Sequence, residues 1–140
     1  MLNKKFILIF NLIFLISGLS AGLKSETNPA FDELSLPAAL EAGKSRKKPV
    51  VVKFHADWCH FCNKMDKQTY TDKKIKSILG NFISIKVNVD TKIGLAQARL
   101  YGVSALPAIL VFDRSGKLVY SQAGFHSAEQ FEYALQKGND

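Results

Sequence analysis

Hydrophobic and polar positions change rhythm several times along this chain, and each change predicts an element. Residues 6–16 are apolar except for Asn11, follow Lys4 and Lys5, and give way to the small residues Ser17-Gly18 and Ser20-Ala21-Gly22. A positive start, an apolar stretch and a small-residue exit predict an export signal over residues 1–22. Residues 6–23 carry no charge, so the same segment left uncleaved is just long enough to serve as an anchor. The polar, breaker-rich stretch 23–34 reads as a linker, and residues 35–140 as one domain.

Within that domain, residues 35–43 predict a short helix, with Ser35 as its cap, Pro37 in its first turn and Gly43 at its end. Residues 50–55 are β-branched and mostly apolar, the pattern of a buried central strand. A helix is expected from Cys59 to about Gln68, and a second over 72–79 that stops at Gly80. Ile83, Ile85, Val87 and Val89 then alternate with Ser84, Lys86, Asn88 and Asp90, a strand of period two. Residues 95–101 predict a helix stopped by Gly102. Residues 108–112 and 118–121 predict strands joined by the turn Asp113-Arg114-Ser115-Gly116-Lys117. Ser127 caps a last helix whose Phe131, Ala134 and Leu135 share one face. Helices and strands interleaved in this order predict an α/β domain, a central mixed β-sheet with helices on both faces.

Composition changes this picture in two places. The formal charge is +7, of which Lys4 and Lys5 belong to the export segment. The cluster Lys44-Ser45-Arg46-Lys47-Lys48 reads as a solvated helix end without interleaved aromatics, so no nucleic-acid partner is expected. An acidic protein or a membrane surface remains compatible with that charge, and a monomer is expected. The second place is the cysteine count. Cys59 and Cys62 are the only cysteines in 140 residues, whereas a secreted domain stapled for stability carries several scattered pairs. A loop of two intervening residues constrains little of the unfolded chain, so the pair reads as reactive.

Its setting supports that reading. A strand that ends in Trp58-Cys59-His60-Phe61-Cys62 and continues as a helix puts Cys59 at a helix N-terminus. Unpaired backbone N–H groups and the helix dipole favour a thiolate there. Cys62 follows about one turn later, within reach of a disulfide. The two cysteines with a histidine would make an incomplete metal site, because no second C-x-x-C or paired histidine supplies four ligands. Asn63 after Cys62 removes the haem-attachment signal. No external cofactor and no metal are expected; the redox group is the dithiol itself.

With this element order, Ala56-Asp57-Trp58-Cys59, Tyr101-Gly102-Val103, Leu106-Pro107, Ser115-Gly116 and Gly124 together resemble the thioredoxin superfamily over residues 35–138. Within it the chain is most similar to small exported thioredoxin-like reductases and to the periplasmic C-terminal domain of DsbD-type electron transporters. The resemblance implies a thioredoxin-like fold, Cys59 as nucleophile, Cys62 as resolving thiol, and a cis Leu106–Pro107 bond folded against them. It also implies protein thiols or disulfides as substrates, a membrane electron donor of DsbD type, and a periplasmic location. Exchange needs an exposed thiolate to attack and a second thiol to release the mixed disulfide. Cys59 is therefore expected to be far more accessible than Cys62. A proline that lacks an N–H lets its neighbour Leu106 present backbone to an extended substrate. Trp58 either contacts the partner and shields the dithiol, or only packs.

The modulating residues are Lys53, His60 and Asp66. As an imidazolium, His60 would stabilise the thiolate next to it; pointing into solvent it would do little. His55 and His126 are expected to be structural or surface-placed. Lys53 departs from the family, which usually has a buried aspartate at this strand position. Buried, Lys53 would favour a nearby thiolate or be partly neutralised; tipped outward it would snorkel. Asp66, four residues past Cys62, resembles a second acid of DsbD-type domains and either handles the proton or is a surface carboxylate. The expected activity is that of an exported reductant or electron relay. An oxidase or isomerase usually carries an added helical or dimerisation domain, and a metal-binding or chaperone-like module is the alternative of another class.

Overall fold

The computed structural model describes residues 31–140 apart from Glu33. The expected export segment and most of the expected linker lie outside the described residues. Strand β1 (Val50–His55) is buried along its whole length except at His55, which its apolar, β-branched composition requires of a central strand. It pairs in parallel with β2 (Ile83–Asn88) and antiparallel with β3 (Ala108–Phe112). Strand β4 (Leu118–Ala123) completes a four-stranded mixed sheet in the order β2-β1-β3-β4.

Side-chain alternation along β1 divides the core in two. Val50, Val52 and Phe54 face one side, where Leu36 and Ala39 of α1 (Leu36–Arg46) and Ala98 of α4 (Lys92–Leu100) cover them. Val51, with Ile109 and Val111, faces the other side. There it meets Met65 of α2 (His60–Gln68), Ile75 of α3 (Lys73–Leu79) and Phe131 of α5 (Ala128–Gln136). Lys53 shares the parity of Val51 and therefore points at α2. This is the expected α/β architecture, a thioredoxin-like fold with helices on both faces of a mixed sheet.

Four boundaries differ from the sequence expectation, each for a local reason. Helix α1 does not stop at Gly43 but runs to Arg46, and Lys47 ends it at φ 53°. Gly43 is instead a packing position: a Cβ there would lie 2.7 Å from a Val50 methyl and 3.0 Å from the Lys48 carbonyl. Helix α4 begins at Lys92, three residues early, because Thr91 caps it by accepting from the Gly94 N–H at 2.9 Å. Strand β4 extends to Ala123, which pairs with Ala108. Phe31 and Asp32 are not a free linker. The Asp32 N–H donates to the Ser84 carbonyl at 2.6 Å and its carboxylate accepts from the Ser84 N–H at 3.2 Å. The exposed ladder of edge strand β2 supplies those groups.

Gly94 is the tightest point of the α4 start, since a Cβ would collide with the Asn88 carbonyl. Gly94→Ala is expected to destabilise the domain by about 1–3 kcal/mol, the usual range for overpacking. Chemical denaturation would show a lower midpoint at an unchanged slope.

Candidate active site

Strand β1 ends at His55, and Ala56-Asp57-Trp58 carries the chain from the sheet to α2. Cys59 is the N-cap of that helix, extended at φ −78° and ψ 103°, and its Sγ accepts from the Cys62 N–H at 3.2 Å. A first-turn N–H thus points at the Cys59 sulfur, at the end of the helix where negative charge is favoured. Cys59 and Cys62 are joined as a disulfide, with Cα atoms 5.2 Å apart.

The expected order of accessibility is present but narrow: Cys59 is 5% exposed and Cys62 1%. Cys59 is not an open thiol in this oxidised state, because Ala56, Val89 and Leu106 pack around the pair. The Cys59 sulfur therefore lies on the floor of a groove. That groove holds about 400 Å³ and is lined by Trp58, Cys59, Phe61, Leu95, Val103 and Leu106. The Leu106–Pro107 bond is cis. Pro107 is buried, and its carbonyl accepts from the Gly124 N–H at 2.7 Å, which ties the start of β3 to the end of β4.

Trp58 is 73% exposed, so it does not serve as core packing. Its indole N–H donates to Asp90 Oδ1 at 3.0 Å, which holds the ring beside the groove. Phe61 and Leu95 are also exposed there and escaped the sequence reading. Phe61 carried a signal, since it sits inside the C-x-x-C; Leu95 joins the groove only through the packing of α4. His60 is exposed on the first turn of α2, its ring edge against Phe61 at 5.6 Å between centroids.

Lys53 is completely buried and does not snorkel. Its ammonium donates to the Cys62 backbone carbonyl at 3.1 Å and to Asp66 Oδ1 at 2.7 Å. Burial draws its pKa below the ordinary lysine value, opposed by the hydrogen bond and charge of Asp66. Asp66 is no free surface carboxylate either, for Lys86 donates to its other oxygen at 3.2 Å. Lys86 escaped the sequence reading because its meeting with Lys53 is a matter of strand register. Among the described residues no group of three His, Cys, Asp or Glu is placed to hold a metal ion.

The other two histidines stand apart from the dithiol chemistry. His55 ends β1 half-buried; burial and the charges of Lys53 and Lys86 keep its pKa below the ordinary value. His126 is buried between the Tyr120 hydroxyl (3.0 Å) and the Gly124 carbonyl (2.9 Å). Its own backbone carbonyl accepts from the Thr69 hydroxyl at 2.6 Å, which ties the end of α2 to the loop before α5.

Comparison with known proteins agrees with this geometry. Residues 36–139 match the family described as thioredoxin-like domain. The chain is 34% identical over 88 residues to the thiol:disulfide interchange protein DsbD of Salmonella typhi. It is 36% identical over 94 residues to that of Photorhabdus laumondii. These matches cover 61% and 64% of this chain but only 15% and 16% of those proteins, so the chain corresponds to a small part of the curated relatives. Among solved structures, the oxidised C-terminal domain of Neisseria meningitidis DsbD aligns with a TM-score of 0.62 and 28% identity. That alignment covers 76% of this chain and 97% of that domain. A thioredoxin from Thermus thermophilus aligns with a TM-score of 0.65 and 25% identity, over 73% of this chain and 82% of the other. A largely buried disulfide at a helix N-cap, lining a groove beside a cis-proline in this fold, defines a thiol–disulfide oxidoreductase site. The chain belongs to the thioredoxin-like domain family and is related to DsbD.

Burial holds the His126 pKa below its ordinary 6.5, with the hydrogen bond to the Gly124 carbonyl opposing it. The unfolded chain then binds the extra proton more readily. The stability gained from neutral His126 is complete above pH 6.5 and is lost as the pH falls from there toward the folded-state value. Unfolding midpoints measured between pH 7.5 and 5 should decline less in His126→Gln than in the parent chain. Equal declines would show that His126 is not a source of the loss.

Proposed function

We propose that this chain is an exported reductant or electron relay that passes two electrons to protein disulfides. The observation that carries the reading is the Cys59–Cys62 disulfide at the α2 N-cap, on the floor of an open apolar groove. The near full-length match to a DsbD C-terminal domain supports it. In the reduced chain, the Cys59 thiolate attacks one sulfur of a substrate disulfide. The other substrate sulfur leaves as a thiolate and is protonated, and Cys59 is left in a mixed disulfide. Cys62 then gives up its proton and attacks Cys59, which releases the second substrate thiol and closes the Cys59–Cys62 disulfide. The substrate gains two electrons from the chain, one proton from Cys62 and one from solvent, which had taken up the proton of the Cys59 thiol. The oxidised chain must then be reduced again by two electrons from another dithiol, and a membrane donor of DsbD type suits an exported domain.

Trp58 and Leu106 flank the sulfur and are the proposed contacts to the partner strand, with Pro107 beneath Leu106 shaping that edge. The export signal at residues 1–22 is the basis for a periplasmic location. No helix among the described residues is long and apolar enough to cross a membrane.

The division of labour between the cysteines is tested by trapping. Cys62→Ala should accumulate mixed disulfides with partner proteins, seen as shifted bands on non-reducing gels, and Cys59→Ala should trap none. Alkylation of the reduced chain at neutral pH should label Cys59 first. Faster labelling of Cys62 would reverse the roles.

A further inference from the structure

Strand β1 delivers a positive charge to the underside of the dithiol. The register of the β1–β2 ladder makes Lys53 and Lys86 Cα partners, so two cations leave the sheet side by side on the α2 face. Asp66 reaches between them from α2, taking Lys53 on one oxygen and Lys86 on the other. Two cations against one carboxylate leave the cluster net positive. Lys53 spends a further donor on the carbonyl of Cys62 itself, at 3.1 Å. Tyr70 closes the cluster from below, its ring 5.3 Å from the Lys53 nitrogen, and the Phe31 ring covers Lys86 at 4.3 Å. His55, two residues on along β1, is a further titratable neighbour, with Asp57 beyond it, and His60 follows Cys59 directly.

Stability alone does not explain a lysine here. A buried ion pair roughly breaks even against a well-packed hydrophobe of similar volume, and the rest of β1 shows that this sheet accepts valine and phenylalanine. What changes charge next to Lys53 is the redox pair. The disulfide is neutral, whereas the reduced pair carries a thiolate. A fixed cation therefore leaves the oxidised state untouched and stabilises the reduced one.

We propose that Lys53, kept charged by Asp66 and supported by Lys86, is a positioning residue that stabilises the thiolate state of the Cys59–Cys62 pair and makes it a stronger electron acceptor. The proposal rests on the thiol–disulfide reading of the site. It also narrows the substrate class. A pair whose reduced form is stabilised takes electrons readily from a dithiol donor and passes them on only to disulfides that are more oxidising still. Strained or exposed protein disulfides meet that condition, and deeply buried structural ones do not.

The test compares the parent chain with Lys53→Met, Lys53→Asp and Lys86→Met. Two quantities are read: the pH titration of thiolate absorbance, and the equilibrium with glutathione. Lys53→Met should move the Cys59 titration to higher pH. It should also shift the glutathione equilibrium about tenfold toward the disulfide, equivalent to a potential lower by about 30 mV. Lys53→Asp should move both further in the same direction, and Lys86→Met less far. Lys86 is partly exposed, so its variant decides the matter if the Lys53 variants do not fold. An unchanged titration and an unchanged potential in the folded variants, or a rise in potential, would overturn the proposal. Reduction of insulin disulfides by the parent chain is scored separately. Its absence would sink the oxidoreductase reading, while a shifted titration would still uphold the electrostatic role of Lys53.

Discussion

The contact on which this site depends is the bond between Lys53 in the middle of the sheet and the first turns of α2. A helix N-terminus can hold a reactive sulfur in place only if the helix itself is anchored, and a nine-residue helix has few contacts with which to do it. Met65 and Cys62 supply its buried apolar side. Lys53 adds two directed bonds, to the Cys62 carbonyl and to Asp66, and Thr69 ties the far end of the helix to the His126 carbonyl. The ammonium is wholly buried and has lost its hydration, so its bonds to oxygen are strong and their loss would leave a charge stranded. The orientation of the Cys59–Cys62 pair over the sheet follows from this.

The groove above the pair is built by different means. Trp58 presents most of its surface to solvent yet is tethered through its indole N–H to Asp90. It therefore presents a large apolar face at the rim of the groove, held in place by that bond. Leu95 arrives on α4, whose start is set by the Thr91 cap and by the close approach of Gly94 to Asn88. Val89 and Leu106 cover the sulfurs from the two neighbouring loops. The groove is open to solvent, with Cys59 in its lining and Val89 and Leu106 packed against the pair.

The relation to DsbD and the charge at position 53 bear on each other. A domain with the same topology can work at very different potentials, because the potential reports the free energy of the thiolate relative to the disulfide and not the fold. A cation beneath the pair and a carboxylate beneath it pull that balance in opposite directions. Membership of the family thus establishes the chemistry, and the proposal for Lys53 assigns the adjustment of its strength to the residues packed under the dithiol.

Much of this is legible in the chain itself. The β-branched run 50–55, the period-two stretch from Ile83 and the cap at Ser127 are local patterns, and local steric and hydrogen-bonding rules turn them into elements. The C-x-x-C at a strand-to-helix junction likewise carries its chemistry in its spacing, since a disulfide between residues three apart needs only one helical turn. Gly43 was harder to read because a glycine that ends a helix and one that makes room for a neighbour look the same in sequence. The shielding of Cys59, the groove residue Leu95 and the role of Lys86 were not legible at all. Each depends on which residues the sheet register and helix packing bring together, across separations that no local pattern spans. The sequence by itself determined the elements, the fold and the reactive pair. Only the tertiary structure decided that Lys53 is buried and shares Asp66 with Lys86, because burial and charge pairing are properties of the packed sheet and not of any one segment.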